Sequence, residues 1–149
     1  MSAELGTEIV DNPPEKIAFM FPARYNLKGA VDPVLNFKAN ENNALSLSVG
    51  ISFIQLDVNA NYWVLFGLED PNGKAVVNST HGMSAIPSDQ IDPEKKTSYL
   101  SANFYFNITL PGVYKFYCEL RNPLVNFGNA LDYKEIYFNV AQAEQENGQ

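Results

Sequence analysis

Few residues of this 149-residue chain are equipped for covalent chemistry: it holds one histidine, His81, and one cysteine, Cys118. His81 stands in Asn78-Ser79-Thr80-His81-Gly82, with Ser79, Thr80 and Ser84 as the hydroxyls closest in sequence. A nucleophile and its base must meet in space, with a third group orienting the base, and neighbours on one loop seldom reach that geometry. His81 therefore reads as a solvated loop residue, and the chain as no enzyme. With one histidine and one cysteine, a zinc site would need two or more carboxylates, an unusual donor set. Asp57-x-Asn59-x-Asn61 copies the first three side-chain positions of an oxygen-rich calcium loop. The match then fails, with Tyr62 where glycine is required and Leu68 where the bidentate glutamate belongs. An Asx-rich turn explains the spacing more simply, and a site would need Asp89 or Asp92 to complete it. No metal and no cofactor is expected.

The elements that position side chains are easier to read. Tyr99–Leu120 is the clearest stretch. Leu100, Ala102, Phe104, Phe106, Ile108 and Leu110 alternate with Tyr99, Ser101, Asn103, Tyr105, Asn107 and Thr109. After Pro111-Gly112, Tyr114, Phe116, Cys118 and Leu120 alternate with Lys115, Tyr117, Glu119 and Arg121. A period of two with one apolar face means a strand that buries one side. Pro-Gly marks a turn, so the two arms read as a hairpin. Cys118 falls on the apolar face, which predicts a buried, unreactive thiol.

Other strands follow from the same signal. Lys16–Phe21 is a short apolar run bounded by prolines, and Val34–Lys38 a weaker candidate. Leu45, Leu47, Val49, Ile51 and Phe53 alternate with serines and a glycine, and the phase slips after Phe53, which predicts a bulge or bend. Tyr62–Glu69 leads into Asp70-Pro71-Asn72-Gly73, a hairpin turn, with Lys74–Asn78 returning. Residues 79–98 read as a long polar loop, with Asp92 capping a turn at Pro93. The last strand sets Ile136, Phe138 and Val140 against Tyr133, Tyr137 and Asn139. Seven or eight strands with turns between them predict an all-β, two-sheet antiparallel β-sandwich.

Composition bounds the rest. One cysteine cannot form an internal disulfide, and 46% apolar residues suit a single folded core. We expect a flexible acidic segment over 1–14, one sandwich domain over 15–140 and a disordered polar tail over 141–149. Net charge is −7, but Glu4, Glu8, Asp11, Glu15, Glu144 and Glu146 supply six of the seventeen acids. The body then carries eleven acids against ten bases, a net −1, with no basic cluster. Nucleic acid is not an expected partner. No apolar run is long enough for a membrane span and no signal peptide is visible, so no membrane and a cytoplasmic location are expected.

The strand order resembles an immunoglobulin-like or fibronectin-type sandwich without a disulfide. Leu45–Phe53 is similar to strand B, Tyr62–Glu69 to C, Tyr99–Thr109 to E, Val113–Arg121 to F and Asp132–Val140 to G. Trp63 on C, and Gly112-x-Tyr114 opening F in the manner of a tyrosine corner, carry the resemblance. Phe116 stands where an antibody-type domain has its second cysteine. The resemblance is one of layout, which does not transmit function. It implies that C, F and G are neighbours.

Strand parity then puts Trp63, Leu65, Tyr117 and Tyr137 on one exposed sheet face. The reverse parity of strand C, with Trp63 in the core as in antibody-type domains, stays open. Tyrosine and tryptophan are enriched in binding hot spots. The face predicts a non-enzymatic interaction module that binds a protein partner or associates with itself as a homodimer. A carbohydrate-binding sandwich that stacks sugars on Trp63, Tyr117 or Tyr137 is the alternative.

Overall fold

The computed structural model describes residues 13–77, 82–125 and 129–143. His81, Ser79, Thr80, the acidic residues 1–12 and the tail residues 144–149 lie outside them. Among the described residues nine strands follow one another: β1 (Lys16–Arg24), β2 (Asn36–Lys38), β3 (Ala44–Ile54), β4 (Tyr62–Glu69), β5 (Ala75–Val77), β6 (Met83–Ile86), β7 (Ser98–Asn107), β8 (Gly112–Arg121) and β9 (Ala130–Ala141). A 3-10 turn, Ser88–Gln90, lies between β6 and β7.

Two sheets pack face to face. One is three-stranded, in the order β1-β3-β7; the other runs β2-β9-β8-β4-β5, with β6 also on β4. All pairs are antiparallel except β2 with β9, which is parallel. The pairings of strands B with E, C with F and F with G implied by the resemblance are present, and the fold is an immunoglobulin-like two-sheet β-sandwich.

The core is the sum of the inward-facing residues. β3 sends Leu45, Leu47, Val49, Ile51 and Phe53 inward, and β7 sends Ala102, Phe104 and Phe106. From the other sheet come Tyr62, Val64, Phe66 and Leu68 of β4 with Tyr114, Phe116, Cys118 and Leu120 of β8. Each large side chain so buried contributes roughly 1.5–3 kcal/mol. Phe66, Phe104 and Phe116 meet at the centre with ring centroids 5.7–5.9 Å apart, so aromatic packing joins the sheets where an antibody-type domain carries its disulfide.

Several local expectations change. The Tyr99–Leu120 stretch is not a hairpin: β7 and β8 belong to different sheets. The chain crosses the sandwich through Ile108–Pro111 and enters β8 at Gly112, whose φ of 139° a side chain would strain. Alternation could not reveal this. Two strands facing each other across a core show the same inward parity as two strands side by side.

The phase slip after Phe53 is the chain leaving the sheet at Gln55, which has φ 60°, while Leu56 turns back into the core. The stretch 79–98 is not all loop, since Met83–Ile86 pairs with β4 as β6. Asp92 accepts the backbone N–H groups of Glu94 and Lys95, both at 2.9 Å, capping a turn that does not continue as a helix. The Asp70 turn forms as expected, with its carboxylate accepting the N–H groups of Asn72 and Lys74.

The outer surface of the three-stranded sheet is partly covered. Ser48 is buried, donating to Asn103 Oδ1 at 2.6 Å and accepting the Asn26 N–H at 3.0 Å. The Ala30 N–H donates to Ser101 Oγ, and the Tyr99 hydroxyl donates to the Ala30 carbonyl. The segment after β1 is thus folded back over β3 and β7.

Candidate functional site

The outer face of the six-stranded sheet is built by the odd-numbered residues of β4, of β8 and of β9 from Tyr133 onward, with β6 at its edge. Their inward neighbours Tyr62, Val64, Tyr114, Phe116, Phe138 and Val140 are buried, which fixes the parity. Trp63 therefore points outward and is 46% exposed. It does not fill the core position that the antibody-type comparison suggests; Val64 and Phe66 supply that packing from the same strand.

Register divides the face into rows. Ala85, Trp63 and Arg121 form the first, and Met83, Leu65, Glu119 and Tyr133 the second. Gly67, Tyr117 and Glu135 form the third, and Glu69, Lys115 and Tyr137 the fourth. Of the four residues singled out in the sequence, Trp63, Leu65 and Tyr117 fall in successive rows at one end. Tyr137 lies in the last row. Six residues along a strand separate it from the level of Trp63, which corresponds to about 20 Å.

Two residues join the cluster that parity alone did not assign to it. Met83, 56% exposed, stands beside Leu65, and Tyr133 stacks on Tyr117 with centroids 6.0 Å apart. Met83 sits in a four-residue strand too short to show a period. Parity marks Tyr133 outward, but only the β8–β9 register brings it to Tyr117. Tyr117 itself lies over Gly67, where an added Cβ would meet the Tyr117 ring at 2.8 Å or less. The glycine makes a seat for the ring, and the tyrosine is half-buried as a result.

The polar groups of the face are paired among themselves. Glu135 accepts hydrogen bonds from the hydroxyls of Tyr133, at 2.8 Å, and Tyr137. Lys115 bridges Glu69 at 3.3 Å and Glu135 at 3.7 Å. Arg121 donates to Glu119 from Nε at 3.0 Å. The hydroxyls of Tyr137 and Tyr133 hold the Glu135 carboxyl below its usual range, and that carboxylate pushes the Tyr137 phenol up. Burial, reinforced by Glu135, also raises the Tyr133 phenol. Glu69 raises Lys115 chiefly by accepting its hydrogen bond. Both tyrosines stay neutral, and Glu135 and Lys115 stay charged, through the physiological range.

Elsewhere, Asp57, Asn61 and Tyr62 are engaged in the local structure. Asp57 Oδ1 accepts the Asn59 N–H at 2.9 Å, the Asx turn expected, and Asn61 Oδ1 accepts the Ser88 N–H at 2.9 Å. The Tyr62 hydroxyl donates to Glu15 and accepts the Asp57 N–H. Among the described residues, no three or more His, Cys, Asp or Glu side chains are grouped to hold an ion. Cys118 is buried, and burial pushes its thiol pKa well above the ordinary value.

No protein-family model matches the chain. No curated protein matches it either. Solved structures do. A putative beta-galactosidase from Bacteroides fragilis aligns over 83% of this chain and 17% of its own, at 12% identity and a TM-score of 0.57. A glycosyl hydrolase family 2 member from Bacteroides cellulosilyticus aligns over 85% of this chain and 15% of its own, at 12% identity and TM-score 0.56. A bacterial adhesin from Mobiluncus mulieris, containing disulfide, isopeptide and ester cross-links, aligns over 85% and 57%, at 8% identity and TM-score 0.57. The chain thus spans less than two thirds of each of these proteins. At such identities the likeness is one of fold, and that fold is the two-sheet β-sandwich.

Proposed function

We propose that the chain is a non-enzymatic binding module that docks a protein partner on the outer face of the six-stranded sheet. The observation that carries this is the contiguous set Trp63, Leu65, Met83, Tyr117 and Tyr133, whose polar neighbours are already satisfied within the face. Exposed apolar clusters of this kind mark interaction sites, and aromatic anchors dominate their energetics. Pre-paired charges suit a protein interface, because they need not be stripped of water without compensation. A sugar ring, by contrast, needs unengaged donors and acceptors around the stacking aromatic. Here Glu135 already serves two hydroxyls and a lysine, which favours the protein over the glycan.

The face carries Glu69, Glu119 and Glu135 against Lys115 and Arg121, a small acidic surplus on a chain of net charge −7. This favours a partner with a basic rim over a second copy of the same face. The test is a quantitative comparison of proteins retained by the wild type and by Leu65→Glu, after circular dichroism shows that the variant folds. The expected outcome is a protein retained by the wild type and lost by the variant, binding directly once purified. Identical retention by both forms would overturn the reading. A glycan array probed with the wild type and with Trp63→Ala gives the contrary result if Trp63-dependent sugar binding appears.

A further inference from the structure

The four sheet edges of the sandwich are not treated alike. On the six-stranded sheet, the outer strands are β2 with three residues, and β5 and β6 with three and four. On the three-stranded sheet, β1 carries Pro22, a register shift between Ile17 and Phe19, and charges at Lys16 and Arg24. Its outer side is also occupied, since Val34 N–H donates to the Pro22 carbonyl and Pro33 bridges Ala23. Short strands, prolines, charges and cover are the usual means of keeping an edge from recruiting another strand.

Along its open edge β7 shows none of these among the described residues. It is ten residues long, SYLSANFYFN, with no charge, proline or glycine, and it pairs only with β3 among the described residues. The ladder shows which groups are unpaired. The Ile108 N–H donates to the Asn43 carbonyl at 2.7 Å, in register with the Ala44–Asn107 pairing beyond it. In an antiparallel ladder the bonded residues alternate, so even-numbered residues of β7 bond to β3. Tyr99, Ser101, Asn103, Tyr105 and Asn107 direct their N–H and C=O groups away from the sheet.

We propose that this edge pairs antiparallel with the β7 edge of a second copy, joining two three-stranded sheets into one of six. The strand is self-complementary. With Ala102 of both copies on the two-fold axis, Tyr99 faces the partner's Tyr105 and Ser101 faces the partner's Asn103. Leu100 then lies opposite the partner's Phe104 on the core side. A half-step of the axis would bond even residues to odd and reverse the faces. An uncharged strand imposes no like-charge repulsion on its own copy.

Sedimentation velocity over roughly micromolar to millimolar concentration, paired with amide hydrogen exchange, tests this. The wild type is expected to show a monomer–dimer equilibrium. Amides of Tyr99, Ser101, Asn103 and Tyr105 should slow on concentration, while those of Leu100, Ala102 and Phe104 are protected throughout. Tyr105→Pro removes an outward N–H that the monomer does not use, and prolines are tolerated at such edge positions. It should raise the dimer dissociation constant at least about tenfold through two lost hydrogen bonds per dimer. Tyr105→Lys, which puts a charge on the open edge at an exposed position, should do the same if the proline variant does not fold. Leu65→Glu, on the other sheet, should leave the equilibrium unchanged, so failure here is separable from failure of the docking face. A wild type monomeric throughout, or a dimer indifferent to both edge variants, overturns the proposal.

Discussion

The Tyr114 hydroxyl donates a 2.8 Å hydrogen bond to the carbonyl of Leu110, four residues back in the chain. The bond closes the corner where the backbone leaves the three-stranded sheet and enters the six-stranded one. The ring is buried between Phe106 and Phe138, with centroids 5.9 and 6.0 Å away, so the corner is tied to the core as well as to itself. Tyr114→Phe keeps the ring and removes the donor. The expected cost is about 1–2 kcal/mol, because the Leu110 carbonyl loses its partner. Urea unfolding with an unchanged m-value would register it; a midpoint equal to wild type would contradict the role assigned to the bond.

Phe116 is the largest single test of the cross-sheet packing. It is fully buried against Phe66 and Phe104, and no disulfide supports that point. Phe116→Ala should cost about 3–5 kcal/mol, while Phe116→Leu, which retains much of the volume, should cost distinctly less. Equal losses from the two substitutions would mean that the site collapses freely and that the aromatic cluster is not what joins the sheets.

Ser48 predicts a loop phenotype. Ser48→Ala strips the Asn26 N–H of its acceptor and Asn103 of its donor, at a cost of about 1–3 kcal/mol. The effect should be local as well as global. Exchange of the Asn26 and Ala30 amides should accelerate more than that of the β8 amides; uniform acceleration would place the loss elsewhere.

Alkaline pH should expose the buried thiol. Burial pushes Cys118 upward in the folded chain, while the unfolded chain ionises near the ordinary value of about 8.5. Above that value the folded state holds a proton that the unfolded state has lost, so stability is complete below it and falls as pH rises. The slope should be about 1.4 kcal/mol per pH unit. Tyr62 and Tyr114, both raised chiefly by burial, add to it above about pH 10. Cys118→Ala should stay flat until the tyrosines begin to titrate. A wild type with the same profile as this variant would show that the thiol titrates alike in both states.

Side-chain parity was readable without coordinates because a half-buried strand writes its inward face into every second residue. Tyr117 and Cys118 are assigned to opposite sides on that ground alone, and the structure puts them there. What parity does not encode is the neighbour. Nothing in the alternation of Tyr99–Leu120 distinguishes strands paired in one sheet from strands opposed across a core, so the corner at Leu110–Gly112 reads as a hairpin. Tyr114 carries the correct signal, but only its resemblance to a tyrosine corner brings it out. The same limit applies to the site. Trp63 and Tyr137 share a face by parity, yet the register of β8 with β4 and β9 sets them at opposite ends. Met83 and Tyr133 reach the cluster only through pairings made between residues far apart in the chain.

The parallel pairing of β2 with β9 has a mechanical consequence. Asn139 N–H donates to the Leu35 carbonyl and Ala39 N–H to the Ala141 carbonyl, both at 2.9 Å, and Asn139 Nδ2 reaches Asn36 Oδ1. These strands lie towards opposite ends of the sequence but run in the same direction. Tension applied between the two ends, once β1 has been drawn off, pulls them past one another along their length. Their hydrogen bonds are loaded together in shear and must rupture as a set, whereas an antiparallel pair pulled from adjacent ends opens one bond at a time. The three-residue pairing of β2 with β9 is thus placed to resist stretching between the two ends along the strand direction.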